Sequence, residues 1–84
     1  MTYEIVFSDK AFKQLKKLEK SVQERIIKVL ERVRIRPDSY VTKLVGDLGF
    51  RLRVGEYRII IDIDKDKLLV LVIKIGHRSS IYKK

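Results

Sequence analysis

The chain has 84 residues, enough for one domain with a modest core, and its 45% hydrophobic and 37% charged residues suit a compact fold better than a disordered one. Twenty Lys and Arg against eleven Asp and Glu give a net charge of +9, which favours nucleic acid, ribosomes or an acidic protein as partner. With no cysteine and a single histidine, disulfides and thiolate or multi-histidine metal sites are excluded, so no metal and no cofactor are expected.

Met1-Thr2-Tyr3-Glu4 lacks the basic and apolar regions of a secretion signal, and no window approaches the roughly 18 apolar residues of a membrane span. The expected location is the cytoplasm, and the expected organisation is a single domain over residues 1–84. From Thr2 to Phe7 the alternation of Tyr3, Ile5 and Phe7 with polar or smaller residues predicts a strand. Ser8-Asp9 supplies an N-cap, and a helix is predicted to about Glu19, with Ala11, Phe12, Leu15 and Leu18 inward. Lys13, Lys16, Lys17 and Lys20 then form a separate stripe, readable either as a solubilising face or as an RNA or ribosome contact.

Ser21-Val22-Gln23-Glu24 matches a capping box, so a second helix is predicted at once, burying Val22, Ile26, Val29, Leu30 and Val33 and ending near Arg36, before Pro37. So short a junction implies an antiparallel helix pair. Lys43-Leu44-Val45 is a candidate extended piece.

Phe50-Arg51-Leu52-Arg53-Val54 and Tyr57-Arg58-Ile59-Ile60-Ile61 read as a hairpin closed by Gly55-Glu56. Val54 then faces Tyr57 and Arg53 faces Arg58, which sets Arg51, Arg53 and Arg58 on one side of the sheet. Cations directly opposite one another are destabilising unless an anion receives them, and phosphate is the natural candidate; the plainer reading is a solvated basic face. Asp64-Lys65-Asp66-Lys67 is a turn before the apolar strand Leu68 to Ile75. A three-residue loop over Lys65 to Lys67 places Lys74 opposite Arg58 with the cations, whereas a two-residue loop places Ile73 there; the first keeps the other face wholly apolar. The predicted order is β-α-α-β-β-β, an α+β fold with a helical hairpin on one face of an antiparallel sheet.

These pieces together resemble the RelE/ParE superfamily of small basic toxins from toxin–antitoxin pairs. The similarity runs through the Tyr3-to-Phe7 strand, the Lys-rich helical hairpin, Lys43-Leu-Val-Gly46, Phe50-Arg-Leu-Arg-Val-Gly-Glu-Tyr-Arg58, Gly76-His-Arg78 and Tyr82. The resemblance implies either a RelE-type ribosome-dependent endoribonuclease, an mRNA interferase cutting translated message without metal, or a ParE-type inhibitor of DNA gyrase. Gly76-His77-Arg78 and Tyr82 look like the RelE branch, which implies a catalytic set of Arg51, Arg53, Arg58, Arg78 and Tyr82 and a RelB-like antitoxin as partner, besides ribosome and mRNA. Better-known members carry lysines at the positions of Arg51 and Arg53; arginine is not deprotonated in proteins, so it cannot serve as their general base.

His77 is the natural proton donor by residue type, yet strand parity sets it opposite Arg78, and a structural or phosphate-contacting role is the plainer reading. Tyr82 is readable as an active-site ring or as a packed tail residue, and Lys74 as an RNA contact. A basic RNA- or ribosome-binding domain without catalysis is the remaining alternative.

Overall fold

A computed structural model describes residues 2–37, the backbone of 42–43, and residues 49–77. The elements, in order, are β1 (Glu4–Phe7), α1 (Asp9–Lys16), α2 (Lys20–Val33), β2 (Thr42–Lys43), β3 (Phe50–Val54), β4 (Tyr57–Asp64) and β5 (Leu69–His77). They form the expected α+β arrangement, with a sheet in the order β1-β5-β4-β3-β2. The sheet is mixed, not wholly antiparallel, because β1 pairs with β5 in parallel, Ile5 beside Val70 and Phe7 beside Val72. Only strands joined by tight turns are compelled to run antiparallel; β1 meets β5 from the far end of the sequence.

α1 starts where the sequence puts it. The Ser8 hydroxyl accepts from the Ala11 N–H at 3.0 Å, satisfying one of the donors a helix leaves free at its start. The helix is shorter than expected: Lys17 and Leu18 donate to Gln14 and Leu15, and Gln23 Nε2 holds the Leu18 carbonyl at 2.8 Å, so the chain turns there. α2 begins at Lys20 with Glu19 as its cap residue, which makes no side-chain capping bond. Ser21 therefore lies inside the helix and the expected capping box does not form; Gln23, reaching back to Leu18, ties down the junction instead. At the other end Arg34 and Tyr3 bond reciprocally, Tyr3 N–H to the Arg34 carbonyl at 2.7 Å and Arg34 Nε to the Tyr3 carbonyl at 3.1 Å.

Both helices bury apolar stripes against one face of the sheet. Ala11, Leu15, Ile26, Leu30 and Val33 meet Leu52, Val54, Ile59, Ile61, Val70, Val72 and Ile75 in one core, with Tyr3, Ile5 and Phe7 packed around it. Each large aliphatic side chain so enclosed stabilises the fold by ~1.5–3 kcal/mol relative to exposure. No buried polar side chain interrupts this core among the described residues.

The hairpin has the expected register, Val54 opposite Tyr57 and Arg53 opposite Arg58. Gly55 takes φ 58°, and it is the only residue of the two-residue loop with positive φ, the pattern of a type II′ turn. The β4–β5 connection differs from both loops considered. It spans residues 65–68: Asp64 Oδ1 accepts from the Asp66 and Lys67 N–H groups, both at 3.1 Å, and Leu68 turns the chain with φ 52°. Lys74 therefore lies opposite Ile60, not Arg58, and Gly76 lies opposite Arg58.

A register shift between Ile60 and Ile61 inserts Ile73 as an extra residue in β5. This bulge reverses the alternation, so that Val72 and Ile75 both face the helices while Lys74 turns to the outer face. α1 satisfies the backbone the bulge displaces. The Ser8 hydroxyl donates to the Ile73 carbonyl at 2.8 Å, and Gln14 Oε1 accepts from the Ile75 N–H at 2.7 Å.

Candidate functional site

Since Leu52, Val54, Ile59 and Ile61 all point to the helices, the side chains between them must point away. The outer face of the sheet thus carries Arg51 and Arg53 on β3, Arg58 on β4 and Lys74 on β5. Arg53 and Arg58 are direct cross-strand neighbours, a relation that sets Cβ atoms about 5 Å apart. Lys74 sits diagonally from Arg58, on the same face. Gly76 is opposite Arg58 and adds no side chain there.

The cations differ in exposure. Arg53 is exposed and donates from Nε to its own turn, to the Gly55 carbonyl at 3.5 Å. Arg51, Arg58 and Lys74 are half-buried, and the Arg58 Nε is shielded from solvent. A charge held in a partly dehydrated setting acts on an incoming anion through a lower effective dielectric than an exposed one does. Arg51, Arg58 and Lys74 share that partly dehydrated setting, and Arg53 does not.

His77 stands apart from this cluster. It pairs with Tyr57, which pairs with Val54, so it emerges on the helix-bearing side. Its ring meets Tyr57 edge-on at 5.5 Å and 85°, and its Nε2 lies 3.9 Å from Glu56 Oε1. A role as proton donor on the arginine face has no support in this placement. Arg78 and Tyr82, the remaining members of the expected site, lie outside the described residues.

The lysine stripe does not survive as one helical face. Lys13 and Lys16 are on α1, but Lys17 is its cap and Lys20 opens α2, because α1 stops a turn early. Lys16 lies over the Phe12 ring, its Nζ 5.6 Å from the centroid, and so covers an exposed aromatic. Missing from the sequence-derived set are Ser8 and Gln14, which position the β5 bulge, and the cations Arg25, Lys28 and Arg32 of α2. The last three recur at i, i+3 and i+7, so the spacing rule applied to α1 finds them as well.

The site is thus a small mixed sheet with two helices on one face and arginines on the other. The chain belongs to the RelE/ParE superfamily: the family of ParE toxins of type II toxin–antitoxin systems matches residues 5–82. It is 32% identical to the mRNA interferase toxin RelE of Escherichia coli K12 over 87 aligned positions, covering 98% of this chain and 92% of that protein. Among solved structures it is similar to the intact Escherichia coli RelBE toxin–antitoxin complex, with a TM-score of 0.79, 28% identity, and coverage of 89% of this chain and 95% of that one. A RelBE complex from Mycobacterium tuberculosis, at 22% identity, shares the fold with a TM-score of 0.85, covering 93% of this chain and 100% of the other.

Proposed function

We propose that the protein is the toxin of a type II pair and acts as a metal-independent endoribonuclease that cuts messenger RNA on the ribosome. The observation that carries this reading is the cross-strand pair Arg53–Arg58, flanked by Arg51 and Lys74 on a face that the helices leave uncovered. The full-length similarity to an mRNA interferase supports it.

The reaction is attack of a ribose 2′-OH on the adjacent phosphodiester. A bond forms from O2′ to phosphorus and the bond to the 5′-oxygen breaks; the proton lost from the 2′-OH is matched by one gained by the 5′-oxygen. Negative charge grows on the non-bridging oxygens and on the leaving oxygen, and guanidinium groups aimed there stabilise the transition state more than the bound substrate. Arg58 is assigned to the non-bridging oxygens, and so, by the family resemblance, is Arg78. Arg51, Arg53 and Lys74 neutralise and orient the backbone, and Tyr82 stacks on a splayed base or orients the 2′-OH. None of the arginines is a general base, so their contribution is electrostatic, and the base either lies elsewhere or is dispensed with. The partners are the ribosome with its message, and an antitoxin that covers the cationic face; the setting is the cytoplasm.

Primer extension on a message in a programmed ribosome tests the assignment. The wild-type chain is expected to cut the message, and Arg58→Ala to slow cutting by roughly 10²–10³, the effect of removing one charge-stabilising donor. A message left intact by the folded wild-type protein overturns the reading. The second reading, a gyrase inhibitor, is favoured by the ParE family match alone. It predicts intact messages together with loss of DNA supercoiling by gyrase.

A further inference from the structure

The outer arginines are not the only cations gathered at the hairpin. On the helix-bearing side a groove of about 330 Å³ runs between α2 and the β3–β4 turn, lined by Arg25, Lys28, Arg32 and Arg53 and, among the described residues, by no carboxylate. Arg25, Lys28 and Arg32 follow one edge of α2 for about 10 Å of helix axis, and none forms a salt bridge to a described carboxylate. The turn comes close to them: a Cβ on Gly55 would stand 3.6 Å from Arg25 Nη1. Like charges at i, i+3 and i, i+4 destabilise a helix, so their alignment beside a fourth cation suits an anionic occupant.

A second pocket, of about 280 Å³, adjoins the groove and shares Arg25 and Val54 with it. Tyr57 and His77 line it in their edge-on contact, together with Glu19 and Glu56. We infer that these two cavities form a second binding site for single-stranded RNA, with phosphates in the cationic groove and a base against the Tyr57–His77 pair. Arg53, which belongs both to the outer face and to the groove, makes the two surfaces continuous around the turn.

An aromatic platform beside a cationic groove is the composition that holds single strands, because every base offers a ring face and every linkage a phosphate. An acidic peptide gains nothing from the rings and is repelled by Glu19 and Glu56. A base instead offers N–H donors to those carboxylates, while the same carboxylates keep phosphate in the groove. The inference rests on the nuclease reading in taking RNA as the polyanion.

The test is equilibrium binding of an oligouridylate of about ten nucleotides to the full chain over a range of KCl concentrations. The triple variant Arg25→Gln, Lys28→Gln, Arg32→Gln is expected to reduce the slope of log K against log[salt] by about 2, since each phosphate contact on a single strand contributes about 0.7. His77→Ala and Tyr57→Leu are expected to weaken binding on the order of tenfold without changing the slope. The three replaced cations are exposed, and circular dichroism checks that each variant is folded. An unchanged slope in the folded triple variant overturns the inference. So does loss of poly-glutamate binding in that variant with oligouridylate binding intact, which assigns the groove to an acidic protein segment.

Oligouridylate binding needs no cleavage, so the two readings fail separately. A reduced slope with translated messages uncut removes the nuclease alone; an unchanged slope with messages cut removes the groove alone.

Discussion

Ser8 shows how much a single hydroxyl decides in this chain. Its oxygen accepts the Ala11 N–H at 3.0 Å and donates to the Ile73 carbonyl at 2.8 Å, so the start of α1 and the bulge in β5 share one atom. Losing an N-cap costs ~1 kcal/mol, and stranding a shielded carbonyl adds ~1 kcal/mol or more. Ser8→Ala is therefore expected to destabilise the fold by about 2 kcal/mol, read from the urea midpoint at unchanged m-value. Gln14→Leu removes the acceptor of the Ile75 N–H and is expected to cost ~1–3 kcal/mol by the same measurement. Because both residues hold one bulge, the double variant is expected to lose less than the sum of the two. Full additivity would show that cap and bulge are independent.

At the scale of elements, the hairpin that carries the arginines is closed by a glycine in a left-handed conformation. Gly55 has φ 58°, and the room for a Cβ there is ordinary, 3.6 Å to the end of a flexible arginine. The expected cost of Gly55→Ala is thus conformational, ~1 kcal/mol or more, seen as a lowered melting temperature with the sheet retained. A neutral substitution would mean that the turn relaxes into another type.

That hairpin was legible in the sequence because two constraints agree: a Gly-Glu loop of two residues and the alternation of Arg51 and Arg53 with Leu52 and Val54 leave one register. The register of β5 was not. Leu68 to Ile75 is apolar but for Lys74, so no alternation marks its faces, and the bulge that sets Lys74 outward depends on Ser8 and Gln14, distant in sequence. The parallel pairing of β1 with β5 was hidden for the same reason: no local signal announces a long-range pair. Ser21-Val22-Gln23-Glu24 misled differently, as a valid local motif overruled when Gln23 bonds to Leu18.

Over the whole molecule, the net charge of +9 is less informative than where the charges stand. α1 packs on β5 and β1, whereas α2 packs on β3, and in the strand order β1-β5-β4-β3-β2 these lie toward opposite sides of the sheet. Strand spacings of about 4.8 Å separate β1 from β3 by roughly 14 Å, more than the ~8 Å over which charges act at physiological salt. An approaching polyanion should therefore feel the hairpin side and the α1 side as distinct surfaces. Neutralising Lys13 and Lys16 on α1 removes as much net charge as neutralising Arg25 and Lys28 on α2, two units from +9 in each case. If placement steers the encounter, the Arg25→Gln, Lys28→Gln pair slows association with the ribosome, the target proposed above, several-fold more than the Lys13→Gln, Lys16→Gln pair, and the difference shrinks as salt is added. Stopped-flow association rates for the two double variants decide it: equal slowing would mean that total charge draws the protein to its target, greater slowing by the α2 pair gives the hairpin side the leading role, and greater slowing by the α1 pair gives it to the other side.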